Sequence, residues 1–217
     1  MRIDPTEVAR LINAGQAPPP DWIPHILELR LERSFITDLR PIGALTALQR
    51  LILTRSRIGD VAPLAALTQL QHLHLSFTAV HDVAPLAELT ELESCFLTGS
   101  LVEDIAPLAG LLRLERLDLG DTRVSDASPL AGLHMLQSLD LSNTLVRDIA
   151  PLSGLRDLQY LDLTNTPLAD VSPLAALHNL RWLILRGTPA AASPPSLPHC
   201  QIITRAQLPR RRQASRG

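Results

Sequence analysis

The feature that most constrains this chain is a period. From Leu136 to Leu155 the sequence reads LQSLDLSNTLVRDIAPLSGL; 22 residues earlier it reads LERLDLGDTRVSDASPLAGL, and 22 residues later LQYLDLTNTPLADVSPLAAL. Repetition at this spacing marks a stacked architecture, because each unit can bury its apolar side only against its neighbours. The central leucine recurs at Leu29, Leu51, Leu73, Leu117, Leu139, Leu161 and Leu183, with Cys95 in the fourth place. Eight units in one register, with no insertion between them, imply a single elongated domain rather than two globular ones.

Within a unit the pattern is L-x-x-L-x-L-x-x-[ST]-x-[IVL]-x-D-x-x-P-L-x-x-L. The alternation in Ser138-Leu139-Asp140-Leu141 has period 2, so one side of the segment faces a core and the other faces solvent, as in a strand. The return segment Asp148-Ile149-Ala150-Pro151-Leu152 reads as a short 3₁₀ or helical turn. Asp148 can accept the free N–H groups at its start, and Pro151 lies where a missing donor costs little. The same aspartate stands at 38, 60, 82, 104, 126, 148 and 170, and is read as a turn cap rather than a catalytic acid.

Repeats of this wording resemble the bacterial leucine-rich repeats of the internalin type, over roughly residues 26–190. The resemblance implies a right-handed, curved α/β solenoid of eight repeats, with a parallel concave sheet and short turns on the convex side. One column departs from it. Where such repeats place Asn after the strand, this chain has Ser34, Ser56, Thr78, Ser100, Thr122, Thr144, Thr166 and Thr188. A hydroxyl both donates and accepts, so it can still form a ladder between coils, with fewer bonds per rung.

The ends fall outside the repeat. Residues 1–25 are expected to form an N-terminal helical cap: Asp4-Pro5-Thr6-Glu7 is a helix start, Val8, Leu11 and Ile12 share a face, and Gly15 ends the helix. Pro18-Pro19-Pro20 should then run extended, with Trp22 tucked beneath the helix. Residues 191–204 are expected to close the C-terminal edge with one last strand in Cys200–Thr204. The remaining 205–217, with five Arg and no acid, reads as a disordered tail.

Charge is segregated along the chain although the net value is only −2. Residues 1–60 sum to +1 and residues 61–204 to −8. All twenty basic residues are Arg. That fits the compositional bias of a GC-rich genome, or selection against ubiquitination in a eukaryotic host. Cys95 and Cys200 are too few for a disulfide framework, and Cys95 fits as a core filler. With neither a secretory h-region nor an apolar run of ~20 residues, a soluble cytoplasmic protein is expected. Delivery to a host cell by another route is the alternative.

If the repeats stack, residues 22 apart become neighbours and three outward columns form. One runs Glu28, Arg50, His72, Ser94, Arg116, Ser138, Tyr160, Trp182. A second runs Arg30, Ile52, His74, Phe96, Asp118, Asp140, Asp162, Ile184, and a third Arg33, Arg55, Phe77, Gly99, Asp121, Asn143, Asn165, Gly187. The expected partner-binding face comprises Arg30, Arg50, Arg55, His72, His74, Phe77, Phe96, Arg116, Asp118, Asp140, Tyr160, Asp162 and Trp182. It is basic at its first coils, aromatic and His-rich in the middle, and acidic later. Tyr, Trp, Phe and Arg dominate interface energetics, so four of six aromatics at outward positions is the strongest functional signal. In internalins the partner docks on this face, often on aromatic side chains.

No phosphate loop, nucleophile elbow or Cys–His pair marks an active site. The aspartates at 118, 140 and 162 could suggest calcium, and the two histidines a metal, but no third ligand is evident beside the histidines and Leu-Asp-Leu is common wording in such repeats. The expectation is a non-enzymatic monomer that binds a protein partner, without cofactor, nucleic acid or membrane. Two alternatives stand: a host-directed bacterial effector acting by binding, and a structural spacer or self-assembling scaffold.

Overall fold

A computed structural model of the protein describes residues 3–204; the tail expected at 205–217 lies outside the described residues. Among the described residues, nine three-residue strands form one parallel sheet in simple sequence order. They are β1 (Glu28–Arg30), β2 (Arg50–Ile52), β3 (His72–His74), β4 (Ser94–Phe96) and β5 (Arg116–Asp118), followed by β6 (Ser138–Asp140), β7 (Tyr160–Asp162), β8 (Trp182–Ile184) and β9 (Gln201–Ile203). The register is the repeat itself: Leu117 pairs with Leu139, and Leu139 with Leu161. Each central residue from Leu29 to Leu183, Cys95 included, is at most 2% exposed. One coil buries this row only because the next coil covers it, so the core is a continuous aliphatic rod. Cys95 fills a leucine's place in that rod, and burial, with Asp118 a lesser cause, pushes its thiol up to about 12.

The convex side is made of five-residue 3₁₀ turns, from Ala62–Ala66 to Ser172–Ala176, with one buried leucine per turn. Each begins as the sequence predicts. Asp60, Asp82, Asp104, Asp126, Asp148 and Asp170 accept the backbone N–H two residues on, all at 2.8 Å. Asp38 does the same with Arg40 at 2.9 Å, although the first coil returns through plain turns.

The helix α1 (Pro5–Asn13) packs Val8 and Ile12 onto the first coil. Its Asp4 cap accepts the Thr6 N–H at 2.9 Å, and Gly15 follows at φ +73°. The proline run is not extended throughout. Pro20 opens a 3₁₀ turn, Pro20–His25, because proline at the first helical position gives up an N–H that had no partner anyway. Trp22 lies half-buried against the core. At the other end β9 pairs in parallel with β8, Leu183 against Ile202.

Two features of the strand exit differ from expectation. The hydroxyl column does not form a ladder between coils. Thr78, Thr122, Thr144, Thr166 and Thr188 each donate Oγ1–H to a carbonyl three residues back in their own coil, at 2.6–2.8 Å. The Oγ of Ser34, Ser56 and Ser100 is buried with no hydrogen-bond partner among the described residues. A short hydroxyl reaches the carbonyl below it but not the next coil, about 4.8 Å away.

The rung between coils is carried instead by backbone, at the residue two beyond the last strand leucine. The N–H groups of Arg33, Arg55 and Phe77 donate to the carbonyls of Thr54, Ser76 and Thr98 at 2.9, 2.9 and 2.7 Å. The later coils repeat the bond. Leaving the sheet while keeping that bond puts this residue in the left-handed region in every coil, with φ between +54° and +70°.

Candidate functional site

The strand register places the three outward columns side by side on the concave face. In the first coils Arg30 is paired with Glu28, and Arg50 lies half-buried beside it. The Arg55 guanidinium sits 4.8 Å from the centre of the Phe77 ring, a cation–π arrangement. The same ring rests on Gly99, where an added Cβ would come within 2.6 Å of it. Phe77 nevertheless remains 47% exposed.

In the middle coils the His74 and Phe96 rings stack at 4.4 Å between centroids and 22° between planes. Burial first, and then the positive charge of Arg50, lowers the pKa of both His72 and His74, so this strand presents neutral imidazoles. Arg116 donates Nε–H to Ser94 Oγ at 3.1 Å.

The later coils are acidic, and their carboxylates are already engaged. Asp118, Asp140 and Asp162 accept the N–H groups of Gly120, Ser142 and Thr164 at 3.0, 2.7 and 2.8 Å. Burial raises the Asp140 pKa, with Asp118 and Asp162 adding to it and the Ser142 hydrogen bonds opposing. Tyr160 is pushed up to about 12, first by burial and then by Asp162 and Asp140. Its hydroxyl lies 3.4 Å from Asp162 Oδ2, and Trp182, one strand on, is 45% exposed. No group of three or more His, Cys, Asp or Glu among the described residues could hold a metal ion.

All thirteen expected face residues lie on this surface, exposed or half-buried. Two neighbours in the same columns do not reach solvent: Ile52 is 7% and Ser94 2% exposed. Their direction is outward, but each lies between wider side chains on strands about 4.8 Å to either side, which cover them. The columns also stop one short. Phe35 is 78% exposed, with the Arg57 guanidinium 4.9 Å from its ring centre. Leu101 and Leu145, at 51% and 54%, continue that row at the repeat spacing. The same 22-residue bookkeeping would have found it, had outward positions been sought beyond the strand.

Stacked parallel strands, buried leucine rows and short capped turns together define a leucine-rich-repeat solenoid. The Leucine Rich repeats family model matches twice, over residues 112–154 and 134–176. The structure is similar to an internalin (inlF) from Listeria monocytogenes, with 28% identity, 85% of this chain and 58% of that chain covered, and a TM-score of 0.79. It is also similar to internalin C2 of the same species, at 36% identity over 74% of this chain and 71% of that chain, with a TM-score of 0.71. The chain belongs to the bacterial internalin-like leucine-rich-repeat family. A Leptospira interrogans leucine-rich-repeat protein, 18% identical, shares the fold with a TM-score of 0.69 over 85% of this chain and 56% of that one. No curated protein matches the sequence. The chain spans 58% of the length of the first internalin. No helix among the described residues is long and apolar enough to cross a membrane.

Proposed function

We propose that this protein is a non-enzymatic recognition module that binds a protein partner on its concave face. The single observation behind this reading is that aromatic and charged side chains from consecutive coils merge there into one outward surface. Phe77 and Trp182 keep nearly half their area in solvent, and such exposure is more readily explained by a partner than by the fold. The carboxylates and imidazoles of that surface are spread along the sheet rather than gathered around one point, which suits docking better than catalysis.

Replacing Phe77, Phe96, Tyr160 and Trp182 together by Ala tests the reading. A protein captured by the purified chain should be lost from the variant, while the melting temperature changes little. Capture that persists in the folded variant would place the interface elsewhere.

A further inference from the structure

Every coil needs a left-handed residue where the chain leaves the sheet, but the coils fill that position unequally. From the fourth coil on, the column reads Gly99, Asp121, Asn143, Asn165 and Gly187, all types that tolerate positive φ. In the first three coils it reads Arg33, Arg55 and Phe77, at φ +54°, +60° and +57°. Nothing in the fold asks for these three, since the inter-coil bond is made by the backbone N–H whatever the side chain. Bulky residues held in this region are strained, and such strain gathers where a side chain is kept for binding.

The surroundings agree. Arg33, Arg50, Arg55 and Arg57 form no ion pair among the described residues, unlike Arg30, Arg40, Arg113 and Arg123. The acidic coils are the opposite case: their strand carboxylates accept backbone N–H groups, and Asn165 Nδ2 donates to Asn143 Oδ1 at 2.8 Å. Later coils also hold arginines without an ion pair among the described residues, Arg116 and Arg186 among them. In the left-handed column, however, cations and a ring occur only in the first three coils.

We propose, on the basis of the recognition-module reading, that the partner docks there through an acidic protein surface, with carboxylates at Arg33 and Arg55 and an apolar side chain against Phe77. Charge complementarity selects this occupant. A nucleic-acid strand needs a basic groove that tracks its backbone over several nucleotides. Here the two arginines of the column stand one strand spacing apart, about 5 Å, and Phe77, Gly99 and the carboxylate of Asp121 follow them.

The test is selection of random phage-displayed peptides on the intact chain, with two variant sets as controls. One is Arg33→Asn with Arg55→Asn and Phe77→Asn; the other is Asp118→Asn with Asp140→Asn and Asp162→Asn. Enriched peptides should carry Asp or Glu beside an aromatic or aliphatic residue. They should bind the first variant at least tenfold more weakly than the second. The first variant should melt no lower than the parent, because Asn suits positive φ. Basic peptides that depend on the aspartates would overturn the proposal while leaving the concave-face reading intact. Peptides indifferent to both sets, or none enriched, would overturn the proposal, and the quadruple Ala variant then decides the concave-face reading separately. A labelled single-stranded oligonucleotide bound through Arg33, Arg55 and Phe77 would replace an acidic protein with nucleic acid. A lower melting temperature of the first variant would show that these side chains serve the fold.

Discussion

Arg55 and Phe77 stand on adjacent coils, guanidinium 4.8 Å from ring centre, and both hold left-handed backbone at φ +60° and +57°. The contact is local in space but 22 positions apart in sequence. It exists because the inter-coil hydrogen bond brings the two strand exits level.

A double-mutant cycle isolates that contact. Arg55→Met and Phe77→Leu keep a side chain at each left-handed position, so the backbone strain cancels from the cycle. The coupling should be about 0.5–1 kcal/mol, as for an exposed cation–π pair. Urea denaturation of the four proteins measures it, and additive effects would mean the arginine is not held over the ring.

The hydroxyl column makes a paired prediction. Thr144 Oγ1 donates to the Leu141 carbonyl at 2.6 Å within the core, so Thr144→Val should cost about 1 kcal/mol despite its equal volume. Ser100 Oγ is buried without a partner, so Ser100→Ala should leave stability unchanged or raise it. Equal losses in the two variants, read from chemical denaturation, would count against the bonding pattern.

Stability should depend on pH with two opposing signs. The fold depresses the His74 pKa below 6.5, chiefly by burial, so the unfolded chain takes up a proton more readily. The stability gained from the neutral imidazole is therefore complete above 6.5 and is lost as pH falls through the folded value. Asp140 has a raised pKa, so its protonated form favours the fold. That contribution is complete below the ordinary 3.8 and is lost as pH rises through the folded value. His74→Gln should flatten the fall in melting temperature just below pH 6.5, and Asp140→Asn should raise the melting temperature at neutral pH. Unchanged pH profiles in both would show that neither group is desolvated.

The turn aspartates were legible because their chemistry is local: Asp148 and the Ala150 N–H it binds are two residues apart. Cys95 was legible as core because the register leaves it no other place. Arg33, Arg55 and Phe77 hid a backbone feature, since left-handed positions are recognised by Gly, Asn or Asp and these coils use none of them. Thr144 misled for a related reason. Its donor and acceptor capacity is fixed by its chemistry, but which carbonyl it meets depends on distances of a few ångströms between coils.

The sequence by itself determined the period, the parallel register and the identity of the residues that share a face, because a strict 22-residue repeat of buried leucines admits one stacking. Only the tertiary structure decided which outward residues reach solvent and which backbones are strained. Those properties belong to neighbouring coils: Ile52 and Ser94 are covered by side chains from other strands, and Phe77 is left-handed because its amide must reach the carbonyl of Thr98.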